Sequence, residues 1–316
     1  MSIISEIQIV SDIILRYKIS ITNDDFFAFG IVSRDWDRND WIYFQAHKPL
    51  FRSVLVGRDI ATNDNHDDDI KSTDYDFFRN EADNLKDTDL DRLKEVAISL
   101  LYVDIEETPL SPMIVQHPVF ESGIYFVNND GDFVNLLTDS EGLVQARKNI
   151  ESLIRKARNP IHVYLTIRKS YRLAFLRFAR PYLSQKDFSE LLADAWVTSE
   201  NPNDDVNVPI SMLIKWFRKA DKKALMVDDD FKVYSELPQE FRIYRGVSVG
   251  RVEKGLSWTC NLSTAEWFRK RFEEDKDEGY ILTALVNKDD VLAYFNTRGE
   301  DEIVADVSKL DIEPFA

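Results

Sequence analysis

The chain has 316 residues, of which 44% are hydrophobic and 12% aromatic, so it can bury a sizeable core and is not a disordered protein. Its formal net charge of −16 argues against unspecific nucleic-acid binding by the whole chain. A single cysteine, Cys260, excludes an intrachain disulfide and is typical of a reducing compartment.

The charge is divided unevenly along the chain. Residues 1–150 contain 28 acidic and 14 basic residues, whereas residues 151–316 contain 28 acidic and 26 basic residues. The net charges of the two parts are therefore −14 and −2. This asymmetry favours a domain boundary near residue 150, with an acidic accessory domain over 1–150 and a second domain over 151–316.

The acidic half contains few clear signals. Residues 1–20 have apolar side chains at helical spacing but no basic leader, which predicts a docking helix rather than a signal peptide. Residues 26–47 and 51–61 are typical of strands, and 62–76 of a solvated acidic loop in preference to a cation site. No stretch approaches about 18 uninterrupted apolar residues, so we expect a cytoplasmic protein without a membrane span.

Two further elements are expected before residue 160. A β-hairpin is predicted around Asn129-Asp130-Gly131, where the turn residues separate two apolar runs. A helix is predicted over residues 140–157 from the spacing of its apolar side chains.

Residues 155–180 contain eight lysines and arginines and no acidic residue. Four aromatic residues interleave with them: Tyr164, Tyr171, Phe175 and Phe178. Such a segment can hold RNA or single-stranded DNA, with phosphates on the basic groups and bases stacked on the rings. The simpler interpretation is an amphipathic helix whose aromatic side chains face the core, and both interpretations stay open at this point.

Helices are expected next. One is predicted over 184–196, with Ser184 as its cap, and another over 207–226, with Asn207 as its N-cap and Pro209 in its first turn. The apolar positions of the second helix are expected in the core: Met212, Leu213, Trp216 and Phe217.

Strands dominate from residue 241 onward. They are expected over 241–249, 255–259, 279–286, 291–295 and 302–307. One helix interrupts them and is predicted to begin with a capping box formed by Ser263 and Glu266. Short strands with few helices between them predict an α+β fold with a mixed or mostly antiparallel sheet.

Two segments in these strands carry unusual residues. Arg245, between Tyr244 and Gly246, is a charged side chain in an apolar strand, which is costly unless the charge is paired or faces a site. The glycine after it permits close approach of a ligand to the backbone. Ser257 and Thr259 place two hydroxyl groups on one face of another strand.

A third segment crowds three carboxylates before a β-branched run. If Glu302 begins a strand, Glu300 and Glu302 point to one side and Asp301 to the other. Two carboxylates on one face repel each other, and the pKa of one should rise. This arrangement suits a site that stabilises positive charge and also takes up a proton.

In this order and spacing, the three segments resemble the motif of the ADP-ribosyltransferases of the Arg-Ser-Glu class, which include bacterial toxins and phage effectors. That motif is an aromatic-Arg strand, a Ser-x-Ser/Thr strand and Glu-x-Glu entering a late strand. The match is close over 241–307 and extends back to about residue 185, but does not cover 1–150. It implies an ADP-ribosyltransferase-like antiparallel or mixed sheet with preceding helices, and an N-terminal α/β accessory domain.

The resemblance implies that NAD is the substrate and that no metal is needed. Arg245 would hold a phosphate of NAD, and Gly246 would offer its backbone to the nicotinamide amide. Ser257 would bind the nicotinamide ribose or orient the catalytic glutamate, with Thr259 in support. Two neighbouring aromatic residues, Tyr244 and Trp258, are also candidates for binding NAD, although Trp258 is equally suited to the core.

The catalytic residues implied by the resemblance are glutamates. Glu302 would be the essential one, bonded to the ribose 2′-hydroxyl, and Glu300 would orient or deprotonate the acceptor. Asp301 would have a structural part, and Trp267 and Phe268 on the following helix are expected in the core. The resemblance thus implies an enzyme, a mono-ADP-ribosyltransferase of the glycosyltransferase type.

The acceptor is open between two classes. In the family, Glu-x-Glu is typical of members that modify arginine, which favours a protein arginine. Relatives that modify nucleic acid keep RNA or single-stranded DNA bases as an alternative, with 155–180 as the contact. A third reading is a catalytically inactive NAD-fold binding module. An antitoxin-like or regulatory protein could bind the acidic N-terminal half, and an intracellular toxin or phage effector fits the family.

Overall fold

The computed structural model describes residues 86–108, 111–120, 123–127, 131–205, 207–249, 251–271 and 279–315. The docking helix, the two strands and the acidic loop expected before residue 77 lie outside these residues. Among the described residues, no helix is long and apolar enough to cross a membrane.

The chain divides into two compact units between Ser184 and Gln185. The boundary expected near residue 150 falls instead inside a helix, Ser140–Lys156. The difference has a physical reason, since net charge reflects mainly the solvated surface, whereas a compact unit is defined by the contacts of its core. The basic segment 155–180 consequently belongs to the first unit.

The described part of the first unit combines helices with two short ribbons. Its helices are α1 (Leu90–Leu101), α2 (Ser140–Lys156), α3 (Pro160–Tyr164) and α4 (Arg172–Ala179). Its strands are β1 (Glu106–Thr108), β2 (Ser111–Gln116), β3 (Tyr125–Val127) and β4 (Phe133–Asn135), paired antiparallel as β1-β2 and β3-β4. The predicted hairpin strands and the helix predicted over 140–157 are therefore confirmed, while residues 128–130 of the turn are not described.

The basic segment 155–180 is not one helix, because α3, a 3-10 turn and α4 follow one another there. Tyr164, Phe175 and Phe178 are buried in the first unit. The guanidinium of Arg172 lies 4.7 Å from the centre of the Tyr164 ring and is itself buried. The interpretation as core aromatics is therefore correct for these three rings, and they form no exposed surface on which bases could stack.

The second unit is α+β, as expected. Its helices are α5 (Gln185–Thr198), α6 (Ile210–Lys219), α7 (Lys222–Leu225), α8 (Asp228–Glu236) and α9 (Leu262–Lys270). Its strands are β5 (Glu240–Val247), β6 (Ser257–Thr259), β7 (Tyr280–Asn287), β8 (Val291–Phe295), β9 (Glu302–Ala305) and β10 (Ile312–Pro314). They form one antiparallel sheet in the order β10-β7-β5-β6-β9-β8.

Two predicted helix starts are wrong. Helix α9 is capped by Asn261, whose side chain accepts a hydrogen bond from the amide of Ser263 at 3.0 Å, in place of the Ser263–Glu266 box. Helix α6 begins after Pro209, since the amide of Asn207 donates to the Asp205 carboxylate at 2.8 Å. In both cases a nearby asparagine or aspartate side chain binds the amide first, which a spacing rule does not resolve.

Aromatic side chains of α5 and α6 form the core next to strand β8. Trp196 and Phe217 are perpendicular, with ring centres 5.1 Å apart, and Phe217 lies 6.4 Å from Phe295 of β8. Leu213 and Trp216 are buried as predicted, whereas Met212 is half-buried. The edge-to-face contact of Trp196 with Phe217 adds about 0.5–1.5 kcal/mol beyond the burial of its area.

Helix α9 packs against strand β5 at Gly246. A Cβ atom added there would lie 2.0 Å from the carbonyl oxygen of Ala265 and 2.6 Å from the amide nitrogen of Arg269. Both atoms belong to helix backbone, which cannot move aside as a side chain can. The glycine is therefore required for the packing of α9 on the sheet.

We predict that Gly246→Ala lowers the free energy of unfolding of the second unit by about 2–3 kcal/mol, because the new methyl group overlaps helix backbone. Denaturant unfolding followed by intrinsic fluorescence measures the change. Gly123→Ala is the matched control, since a Cβ there meets nothing within 4 Å. Equal unfolding midpoints for the two variants would contradict this account of the packing.

Candidate active site

The three motif segments lie on three neighbouring strands of the sheet. Tyr244 of β5 is paired with Thr259 of β6, and Thr259 is paired with Glu302 of β9. A cleft of about 280 Å³ opens beside this row. It is lined by all eight residues singled out in the sequence: Tyr244, Arg245, Gly246, Ser257, Trp258, Thr259, Glu300 and Glu302.

Arg245 is buried and bonded to the backbone of the segment that leads into β6. Its guanidinium donates to the carbonyl oxygens of Ser257 at 2.7 Å, Val252 at 2.8 Å and Glu253 at 3.2 Å. Gly255 permits this approach, since a Cβ there would lie 2.4 Å from Nη2. Burial lowers the pKa of Arg245 to about 10, partly offset by the charge of Glu302, so the group stays protonated at neutral pH.

Through these contacts Arg245 holds in place the segment that leads into β6, the strand that carries Ser257. Three backbone carbonyls need donors at fixed directions, and only a guanidinium presents such a fork. The phosphate contact implied by the resemblance stays a prediction. Gly246, expected to face nicotinamide, lines the cleft, but the packing of α9 accounts for its lack of a side chain.

Glu302 is the first residue of β9. It is buried, with 7% of its surface exposed. Its Oε1 atom accepts a hydrogen bond from the indole N–H of Trp196 at 3.1 Å. Burial raises the pKa of Glu302, and hydrogen bonds from Ser257 and Trp196 and the charge of Arg298 oppose that rise. The net result is a carboxylate with a pKa above its usual range, in a defined position.

Ser257 is held by a residue outside the sheet. Asn203, in the 3-10 turn Pro202–Asp204, donates from Nδ2 to the Ser257 hydroxyl at 3.0 Å. The Oδ1 atom of the same side chain accepts from the amide of Leu256 at 2.5 Å. With its lone pair occupied by Asn203, the Ser257 hydroxyl is oriented to donate to Glu302.

The turn before β9 is held by its own polar contacts. Asp301 has a φ of +47°, and its carboxylate accepts from the Tyr294 hydroxyl at 2.7 Å. Its amide donates to the Asn296 side chain at 3.1 Å, and Thr259 donates to the carbonyl of Glu300 at 3.2 Å. Asp301 thus has a structural part, and Thr259 holds the turn that carries Glu300.

The guanidinium of Arg298 lies next to the carboxylates of the two motif glutamates, Glu300 and Glu302. Its Nη2 atom is 2.8 Å from Oε2 of Glu300 and 4.0 Å from Oε2 of Glu302. The sequence analysis did not identify this residue. The only local signal was a lone basic side chain two and four positions before the glutamates.

The structure decides between the two interpretations of Trp258 and differs from expectation at Trp267. Trp258 is 2% exposed, and its indole N–H donates to the carbonyl of Gly255 at 3.0 Å, so it belongs to the core. Trp267, expected in the core, is 56% exposed at the cleft, perpendicular to Phe268 with ring centres 4.9 Å apart. The guanidinium of Arg271 lies 5.5 Å from the Trp267 ring.

The expectation for Trp267 was wrong because adjacent residues on a helix point about 100° apart. The side of α9 that faces the sheet contains Ala265, which is fully buried. Trp267 therefore points away from that side, whereas Phe268 lies nearer to Gly246 of β5. Two neighbouring aromatic letters do not tell which of them faces the core.

Among the described residues, no group of three or more histidine, cysteine, aspartate or glutamate side chains is placed to hold a metal ion. Comparison of the chain with protein-family models, with curated proteins and with solved structures finds no match. What the cleft can do chemically therefore follows only from the residues that line it and from their geometry.

We predict that Trp196→Phe raises the pKa of Glu302 further, because the lost N–H favoured the ionised carboxylate. A ¹³C NMR titration of labelled glutamate carboxyl groups measures this pKa, with Glu302→Gln identifying the resonance. Trp216→Phe is the matched control, since Trp216 packs on Phe188 in the same helical layer, with ring centres 5.7 Å apart. An unchanged or lower pKa in Trp196→Phe would show that the indole does not stabilise the charge.

Proposed function

We propose that the second unit is a mono-ADP-ribosyltransferase that cleaves NAD and transfers ADP-ribose to a macromolecular acceptor, first of all a protein arginine. One observation carries this proposal. A buried glutamate, a serine hydroxyl and a braced arginine come from three adjacent strands and line the same cleft. This is the constellation that the resemblance to the Arg-Ser-Glu class implies.

Glu302 is suited to the cleavage step by its charge and its fixed position. As the bond between nicotinamide nitrogen and ribose carbon breaks, its electron pair leaves with neutral nicotinamide, and positive charge develops on the ribose. A carboxylate held in place by Trp196 and Ser257 stabilises that charge without having to reorganise. The low dielectric of the buried position strengthens the effect.

Glu300 is suited to the transfer step. It lies at the cleft on the turn before β9, and its side chain is 21% exposed. In this proposal a nitrogen of the acceptor forms the new bond to the ribose carbon and loses one proton. Glu300 takes up that proton and passes it to solvent, as a general base must.

The rim of the cleft offers groups that match the rest of NAD. Arg251 and Arg271 bring positive charge that suits a diphosphate. The exposed ring of Trp267 and its neighbour Phe268 offer apolar faces that suit an aromatic base. These residues are proposed as binding groups in addition to those identified in the sequence.

We predict that purified protein releases nicotinamide from NAD and that Glu302→Gln lowers the rate at least about a hundredfold. The raised pKa of Glu302 means that the folded protein loses stability as pH rises through that pKa. Glu302→Gln removes this loss, so its melting temperature at neutral pH should equal or exceed that of wild type. NAD binding without nicotinamide release by wild type would indicate a binding module instead.

The acceptor class is tested with NAD labelled in its adenine part and a bacterial lysate. We predict that label enters macromolecules with wild type but not with Glu302→Gln, and that protease frees it while ribonuclease does not. Label freed by nuclease would instead indicate RNA or single-stranded DNA. Burial of the three aromatic rings in 155–180 removes the main feature that favoured nucleic acid.

A further inference from the structure

We propose that Asn203 is a positioning residue for Glu302, because its side chain fixes the direction in which the Ser257 hydroxyl donates its proton. Asn203 lies in the 3-10 turn after α5, is 9% exposed and lines the cleft. The inference rests on the proposed function for the part that Glu302 plays in the reaction. It adds a residue that lies outside the three motif segments.

The chain of hydrogen bonds begins at a backbone amide, which can only donate. The amide of Leu256 donates to Oδ1 of Asn203 at 2.5 Å, and the carbonyl of Leu256 accepts from the amide of Ala305 at 2.9 Å. Leu256 is therefore tied to β9, the strand that carries Glu302, and its side chain is fully buried. Its N–H group thus has both a fixed direction and a fixed polarity.

That amide determines which end of the Asn203 side chain faces Ser257. If the side-chain amide were reversed, its NH2 group would meet the N–H of Leu256, and two donors in contact repel each other. With Oδ1 on Leu256, the Nδ2 atom of Asn203 donates to the Ser257 hydroxyl at 3.0 Å. The hydroxyl oxygen accepts in this bond, so its own proton is directed to the Glu302 carboxylate.

The end of one helix and the turn that follows it direct both donors to Glu302. Trp196 of α5 donates to Oε1 of Glu302 directly at 3.1 Å, whereas Asn203 acts through Ser257. The charged groups that face Glu302 come from β5 and from the turn before β9: Arg245, Arg298 and Glu300. All three lie outside the chain of bonds, so a change at Asn203 reaches Glu302 through Ser257.

Asn203→Asp tests the direction of these bonds with little change in shape. One carboxylate oxygen can still accept from the Leu256 amide, but the other cannot donate, so it accepts from Ser257 and takes that proton away from Glu302. We expect the pKa of Glu302 to rise by about 1 or more relative to wild type. A ¹³C NMR titration of labelled glutamate carboxyl groups measures this pKa without NAD, with Glu302→Gln identifying the resonance.

Asn201→Asp is the matched control, since it adds the same charge at the start of the same turn, where the Asn201 side chain does not cap the turn. In a Ser257→Ala background, Asn203→Asp should shift the pKa of Glu302 no more than this control does. A shift that is no larger than the control's, or that persists in full without the Ser257 hydroxyl, would overturn the proposal and make Asn203 a structural tie.

Asn203→Ala repeats the test without burying a charge. It frees the Ser257 hydroxyl to rotate and should raise the pKa of Glu302 by a smaller amount than Asn203→Asp. No rise relative to Asn201→Ala would likewise count against a positioning role of Asn203.

Nicotinamide release, measured in parallel, keeps the two proposals apart. In Asn203→Asp the acid limb of its pH profile should move to higher pH by the shift seen in the titration, with a lower kcat at neutral pH and a nearly unchanged KM for NAD. A raised pKa of Glu302 in this variant without nicotinamide release by wild type would refute the transferase and leave the role of Asn203 standing. Release by wild type with an unchanged pKa in the variant would leave the transferase and refute that role.

Discussion

The hydrogen bond from the Trp196 indole to the Glu302 carboxylate joins the helical layer of the second unit to its sheet. A buried carboxylate is costly unless donors compensate for the lost water, and Trp196 and Ser257 supply them. Trp196 is itself held edge-to-face by Phe217 of the next helix. The packing of the core and the position of the charge at the cleft are therefore one arrangement, and a change to either disturbs the other.

Arg245 lies close enough to Glu302 that the charge of the carboxylate raises the pKa of the guanidinium against the effect of burial. It is buried, remains protonated, and donates hydrogen bonds to the carbonyl groups of Val252, Glu253 and Ser257. These bonds fix the segment that leads into β6. A buried positive and a buried negative charge stabilise each other only when each is also hydrogen-bonded, as both are here. Gly255 and Gly246 make room, one for the guanidinium and the other for helix α9.

The α+β class and the strands of the second unit could be predicted because strand periodicity and turn residues are local signals. Five predicted strands correspond to β5, β6, β7, β8 and β9. Helix starts were less predictable, since Asn261 caps α9 by accepting from the amide of Ser263, so the residue expected as the cap lies inside the helix. Trp258 was left open between the site and the core, and Trp267 was expected in the core; their exposures depend on which side of β6 and α9 meets the core.

The sequence by itself determined the three motif segments, because strand periodicity and residue type are local signals, and all eight residues singled out in these segments line the cleft. Only the tertiary structure decided which partners hold them. Trp196 lies 106 residues before Glu302, and Asn203 lies 54 residues before Ser257, so no local pattern links them. The pKa of a carboxylate depends on burial and on nearby donors, and both are properties of the packed chain rather than of neighbouring letters.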